Sequence, residues 1–146
     1  MGRKKKIALV AHDHRQADLL DWAELHRETL ARHTLFGTGQ VGRLIAETLG
    51  LDVHALLSAP LGGDEQLGAM IGEGGLDLLV LLWDPLPPPT RDPDVKALLR
   101  IAVLYDVPTE CNRATADFLV SSTLLREPYE RLVAEDAIAP MDFRPT

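Results

Sequence analysis

Short apolar runs alternate with amphipathic stretches along nearly the whole chain. Residues 6–11, KIALVA, suit a strand and stop at the polar triplet His12-Asp13-His14. Over residues 16–33, Leu19, Trp22, Ala23, His26 and Leu30 fall on one helical face, which predicts a single helix. TLFG at 34–37 reads as a short second strand closing on glycine. Val41, Leu44, Ile45 and Thr48 give another helical stripe, and Gly50 ends it. VHALLS at 53–58 is a third strand candidate, and a helix follows over 64–72 until Glu73-Gly74-Gly75. LDLLVLLW at 76–83 is apolar on both faces, as expected of a central parallel strand. After the proline-rich loop 84–92, Asp92 suits an N-cap, Pro93 a first helical position and Asp94 a first turn. Val95, Leu98, Leu99 and Ala102 are the buried stripe of that helix. VPTEC at 107–111 is a fifth strand candidate, and a last helix is expected from Ala114 to Leu125.

Five strands alternating with helices predict an α/β fold: three layers, α/β/α, with a mainly parallel five-stranded sheet of Rossmann-like type. The 146 residues fit one domain over 1–146. Such sheets bind ligands beyond the carboxyl ends of their strands. The polar groups expected to converge there are His12 and Asp13, Thr38 to Gly42, Ser58 to Asp64, Asp84 to Asp94, and Asn112.

Charge and cysteine content narrow the partners. A net charge of −7 argues against a broad basic face for nucleic acid. The basic run Arg3 to Lys6 reads as a solvated end. One cysteine, Cys111, excludes an internal disulfide and a cysteine-based zinc site, and it favours a reducing compartment. No apolar stretch approaches a membrane span, so a cytoplasmic protein with no membrane partner is expected.

Several clusters carry chemistry, each beside a plainer role. GTGQVG at 37–42 joins a strand to a helix, where glycine amides and the helix dipole make an anion site; it also reads as a tight turn with Thr38 as cap. It is neither a P-loop nor a dinucleotide fingerprint. In His12-Asp13-His14, a histidine can donate or carry a proton; the alternative is capping by Asp13 with exposed histidines, and no third metal ligand is supplied. Asp64 follows Gly62-Gly63 and reads either as a general base or as a helix N-cap. Asp84, Arg91, Asp92 and Asp94 are open in the same way. His26, His33 and His54 are read as structural or surface residues, and Trp22 and Trp83 as core or interface.

ALVAHDH, TGQVG, SAPLGGDEQLGA, WDPL, DPDVKALLR and NRATADF occur in that order. Together they closely resemble the methylglyoxal synthase family, from about residue 6 to residue 120. The resemblance implies conversion of dihydroxyacetone phosphate to methylglyoxal and inorganic phosphate, without metal or organic cofactor, by a homohexamer regulated by phosphate. It implies Asp64 as the catalytic base, with Gly62 and Gly63 letting substrate approach. Thr38, Gly39, Gln40, Val41, Gly42, Ser58 and Ala59 match the phosphate cradle. His12 matches a substrate-contacting histidine, and Asp13, Asp84 and Asp94 match supporting acids.

Four departures from the family pattern, spanning five positions, fall in the site. Gln40 and Val41 replace two hydroxyl donors, leaving their backbone amides. Ala59 stands for a glycine, and Gln16 for a lysine that neighbouring Arg15 is a candidate to replace. Arg91 stands for a histidine; arginine stabilises an enediolate by charge but does not cycle a proton near neutral pH. Arg144 is a candidate for a C-terminal phosphate-binding arginine. A phosphometabolite sensor of the same fold, or a lyase for another small phosphorylated ketone, are the alternative readings.

Overall fold

The computed structural model describes residues 1–58, 61–86 and 95–133. The expectations for Ala59, Arg91, Asp92, Asp94 and Arg144 lie outside them. The elements are β1 (Lys6–Ala11), α1 (Gln16–Leu25), α2 (Arg27–Leu30), β2 (Thr34–Thr38), α3 (Gly39–Leu49), β3 (Val53–Leu56) and α4 (Gly63–Gly72). They continue with β4 (Leu78–Leu82), α5 (Val95–Leu104), β5 (Thr109–Glu110) and α6 (Arg113–Ser121). Short 3-10 turns cover Asp13–Arg15 and Thr123–Arg126.

The strands form one parallel sheet in the order β3-β2-β1-β4-β5. The pleat sends alternate residues to opposite faces. Ile7 and Leu9 of β1, with Leu78, Val80 and Leu82 of β4, meet Leu19, Trp22, Ile45, Ala116 and Val120 from α1, α3 and α6. Ala8, Val10, Leu79 and Leu81 meet Leu67, Ile71, Leu98 and Ala102 from α4 and α5. This is the expected three-layer fold, and it explains why β4 is apolar on both faces.

The long first helix is two. At His26 the backbone leaves helical geometry, with φ −109° and ψ 20°. Its ring Nε2 lies 2.8 Å from Asp117 Oδ1 of α6, the same oxygen that accepts from Trp22 Nε1 at 3.1 Å. A tertiary tie between α1 and α6 interrupts the continuous pattern there. The last helix also ends early, at Ser121, because Ser122 turns extended and its hydroxyl accepts the Leu124 N–H at 3.1 Å. Serine side chains offer the backbone this local alternative.

The basic amino end is not wholly solvated. Lys5 is buried, and its Nζ donates to the carbonyls of Gly2 and Glu127. Its apolar stem lies inside while its head meets fixed acceptors. Burial lowers the Lys5 pKa, against the opposing pull of Asp77 and Glu127. His33 is structural as expected: its Nδ1 accepts the Lys5 N–H at 2.9 Å, and burial, with Lys5 next, lowers its pKa and favours the neutral ring this bond needs.

Asn112 caps α6, accepting the Thr115 N–H at 2.9 Å and the Thr115 hydroxyl at 3.0 Å. Its side chain is committed to the helix. Asn112→Ala is expected to cost about 1 kcal/mol in urea unfolding. Among the described residues, no helix is long and apolar enough to cross a membrane.

Candidate active site

The strand order reverses between β1 and β4: the chain leaves β1 towards β2 on one side and returns to β4 on the other. Ligand crevices form at such points in parallel sheets. Here the His12 N–H donates to the Leu82 carbonyl at 3.2 Å, and the Asp84 N–H donates to His12 Nδ1 at 3.2 Å. Because Nδ1 is an acceptor, the neutral ring carries its proton on Nε2, making that nitrogen the donor. Asp84 Oδ1 accepts the Leu86 N–H at 3.1 Å, shaping the loop after β4. His12, Thr38 and Asp84 are all buried polar residues at the ends of adjacent strands. Asp13 opens the 3-10 turn that follows β1. Arg15 is engaged nearby, its Nη1 donating to Asp18 Oδ2 at 3.1 Å.

The three glycines of GTGQVG have distinct structural reasons. A Cβ on Gly37 would lie 2.5 Å from the Gly42 Cα, so this pair lets β2 and α3 approach closely. Gly39 has φ +54°, and a Cβ there would lie 3.1 Å from the Ser58 Cβ. The β2 and β3 ends therefore meet at Gly39 and Ser58. Thr38 occupies the N-cap position of α3, yet its side chain makes no capping bond. Val41 sends its side chain into the core, whereas Gln40 is exposed.

The loop from β3 to α4 folds around Ser58, whose carbonyl accepts from the Leu61 N–H at 2.9 Å and the Gly63 N–H at 3.0 Å. Gly62 has φ +105° and is itself the N-cap of α4. Asp64 is consequently the second residue of the helix and not its cap, which removes the capping reading. At the amino end of α4 the helix dipole favours an anion. Gly63 sits so tightly that a Cβ would lie 2.1 Å from the Leu57 carbonyl oxygen. The paired glycines thus hold Asp64 against the end of β3: one supplies the left-handed turn and the other the close approach. Gly63→Ala should cost about 1–3 kcal/mol in urea unfolding, since a backbone atom cannot yield as a side chain can. Gly68→Ala in the same helix should cost nothing, since its Cβ would meet only Ile101 Cδ1 at 3.5 Å and alanine is the better helix former.

One ionisable residue escaped the sequence reading. Glu110 of β5 is 2% exposed, and neither of its buried carboxylate oxygens has a hydrogen-bond partner of good geometry. Burial pushes its pKa up to about 8, with Asp117 adding to the rise and the Asn112 backbone N–H opposing it. An acid within so short an apolar strand was the available signal. Among the described residues, no group of three His, Cys, Asp or Glu is placed to hold a metal ion.

The family model described as MGS-like domain matches residues 18–110. A curated methylglyoxal synthase from Leptospira interrogans serogroup Icterohaemorrhagiae serovar copenhageni is 54% identical over 129 residues, covering 88% of this chain and 87% of its own. The chain belongs to the methylglyoxal synthase family. A methylglyoxal synthase from Cellvibrio japonicus is 51% identical over 133 residues, 91% of this chain and 86% of its own. The crystal structure of methylglyoxal synthase from Elizabethkingia anophelis NUHP1 superposes with a TM-score of 0.89 at 42% identity, covering 92% of this chain and 89% of that one. The chain thus shares the fold of that methylglyoxal synthase.

Proposed function

We propose that the protein is a phosphate-eliminating carbon–oxygen lyase that converts dihydroxyacetone phosphate to methylglyoxal and inorganic phosphate. The observation that carries this reading is the β3–α4 loop. It sets an acid, Asp64, at a helix amino end beside Ser58, and Ser58 in turn packs against the Gly39 turn. A base and an anion cradle therefore share one sheet edge.

In the proposed reaction, the Asp64 carboxylate takes a proton from the carbon bearing the substrate hydroxyl, next to the carbonyl. The resulting enediolate expels phosphate as its carbon–oxygen bond breaks, and the enol left behind tautomerises to methylglyoxal. His12 Nε2–H donates to the substrate oxygen as negative charge develops, with its ring held through Nδ1 by the Asp84 N–H. The Thr38 and Ser58 hydroxyls and the amides of Gly39 to Gly42 hold the phosphate. Arg91 stabilises the enediolate by charge, and Asp13, Asp84 and Asp94 support the site. The active species is a cytoplasmic homohexamer.

The test is methylglyoxal and phosphate release from dihydroxyacetone phosphate by purified protein. Equimolar release supports the lyase. The replacement of five site positions, Gln16, Gln40, Val41, Ala59 and Arg91, favours a second reading, a sensor of phosphorylated metabolites. Saturable substrate binding with no product would establish that reading instead.

A further inference from the structure

The β3–α4 loop is joined across its mouth by one side chain. Gln66, one turn into α4, accepts the Leu57 backbone N–H on Oε1 at 2.7 Å. A backbone N–H is met only by the carboxamide oxygen, so the orientation of the amide is fixed. Leu57 is the first residue beyond β3 and directly precedes Ser58; Gln66 lies two residues after Asp64. The bond therefore connects the strand end carrying the hydroxyl of the phosphate cradle to the helix carrying the base. Two further contacts run in the same direction: the Gly63 N–H to the Ser58 carbonyl, and the close approach of Gly63 to the Leu57 carbonyl. Those two are backbone contacts fixed by the glycines. The Gln66 bond is the described side-chain contact spanning Leu57 to α4, and it can be removed without altering any glycine.

We propose that Gln66 is a positioning residue that sets the spacing between Ser58 and Asp64, and thereby between bound phosphate and the carbon that loses its proton. This rests on the lyase reading above. The substrate spans both groups, so a loop free to shift by an ångström loses reactive geometry and loosens the hold of Ser58 on phosphate. Errors of that size far from the reacting atoms cost up to about 10²-fold in rate.

The experiment compares wild type, Gln66→Ala and Gln66→Glu by steady-state kinetics with dihydroxyacetone phosphate, by titration with inorganic phosphate, and by thermal melting without ligand. Gln66→Ala is expected to lower kcat by about 10- to 100-fold and to weaken phosphate binding by roughly two- to tenfold. The melting temperature should barely move, because Leu57 is exposed and its N–H can turn to water. Gln66→Glu keeps an accepting oxygen at the same reach and should recover most of kcat. Its added negative charge leaves phosphate binding weak. Unchanged kcat and phosphate affinity in Gln66→Ala would overturn the proposal, as would a Gln66→Glu enzyme as slow as Gln66→Ala. If the wild type releases no methylglyoxal, the lyase reading fails, and the phosphate titration alone then decides the role of Gln66: equal affinities in wild type and Gln66→Ala reject it.

Discussion

Asp64→Asn is expected to lower methylglyoxal release by about 10²–10⁴-fold, the usual worth of a general base. The melting temperature should stay close to that of the wild type. The two halves of this expectation have separate causes. The amide matches the carboxylate in shape but has no basic lone pair for a carbon-bound proton. The N-cap of the helix is Gly62, and Asp64 is its second residue. Loss of one favourable charge at a helix amino end costs only about 0.3–1 kcal/mol. Phosphate should still bind to Asp64→Asn, because the hydroxyls of Thr38 and Ser58 are untouched. Undiminished turnover would remove Asp64 from the base role. A collapse in melting temperature would mean the residue serves the fold.

The second large effect is on stability, through Glu110. Its pKa rises from the ordinary 4.5 to about 8 in the folded chain, chiefly by burial. Between those values the unfolded chain has released the proton and the folded chain still holds it. Stability conferred by the neutral acid is therefore complete below about pH 4.5 and is lost progressively as pH rises through about 8. The slope is at most about 1.4 kcal/mol per pH unit. Among the described groups facing Glu110, the Asn112 N–H favours the ionised form but is outweighed by burial. β4 offers only apolar residues, Leu78 to Leu82, and α6 brings Asp117, already holding Trp22 and His26 of α1. On its own strand the neighbouring Cys111 has its pKa raised by burial and then by Glu110. Glu110→Gln removes the titration while keeping the size of the side chain. Urea unfolding of both proteins from pH 5 to 9 should give curves that diverge in favour of the variant as pH rises. Taking the difference cancels His33 and Lys5, which titrate in both. Parallel curves would show that Glu110 is solvated or paired in solution.

Much of the fold is readable from single segments. The apolar LDLLVLLW run becomes β4, covered on both sides, and Gly50 closes α3 in a left-handed conformation with φ +67°. What escapes is set by partners distant in the chain. Nothing near His26 announces a helix break, because its cause, Asp117, comes from α6. Lys5 looks like part of a charged terminus until the carbonyl of Glu127 meets it. At the proposed site, the polar residues after each strand come to one edge, because a parallel sheet carries all its carboxyl ends there. Local sequence leaves Asp64 open between base and cap, since the choice depends on which residue turns left-handed, and that residue is Gly62. Asn112 shows the reverse: its place after β5 suggested the site, and its own helix claims it.

The sheet order has a consequence for how this chain is made. β1 is central, with Lys6 beside Thr34 on one side and Ile7 beside Leu78 on the other. A ribosome delivers β2 soon after β1, but β4 only after β2, α3, β3 and α4. Until then the second edge of β1 has no partner, and Ala8 and Val10 lack α5, one of the two helices that cover them. A nascent chain that ends before β4 therefore presents an open strand edge and a half-covered apolar face, the conditions under which strands pair with the wrong neighbour. The sheet can close only once β4 has emerged.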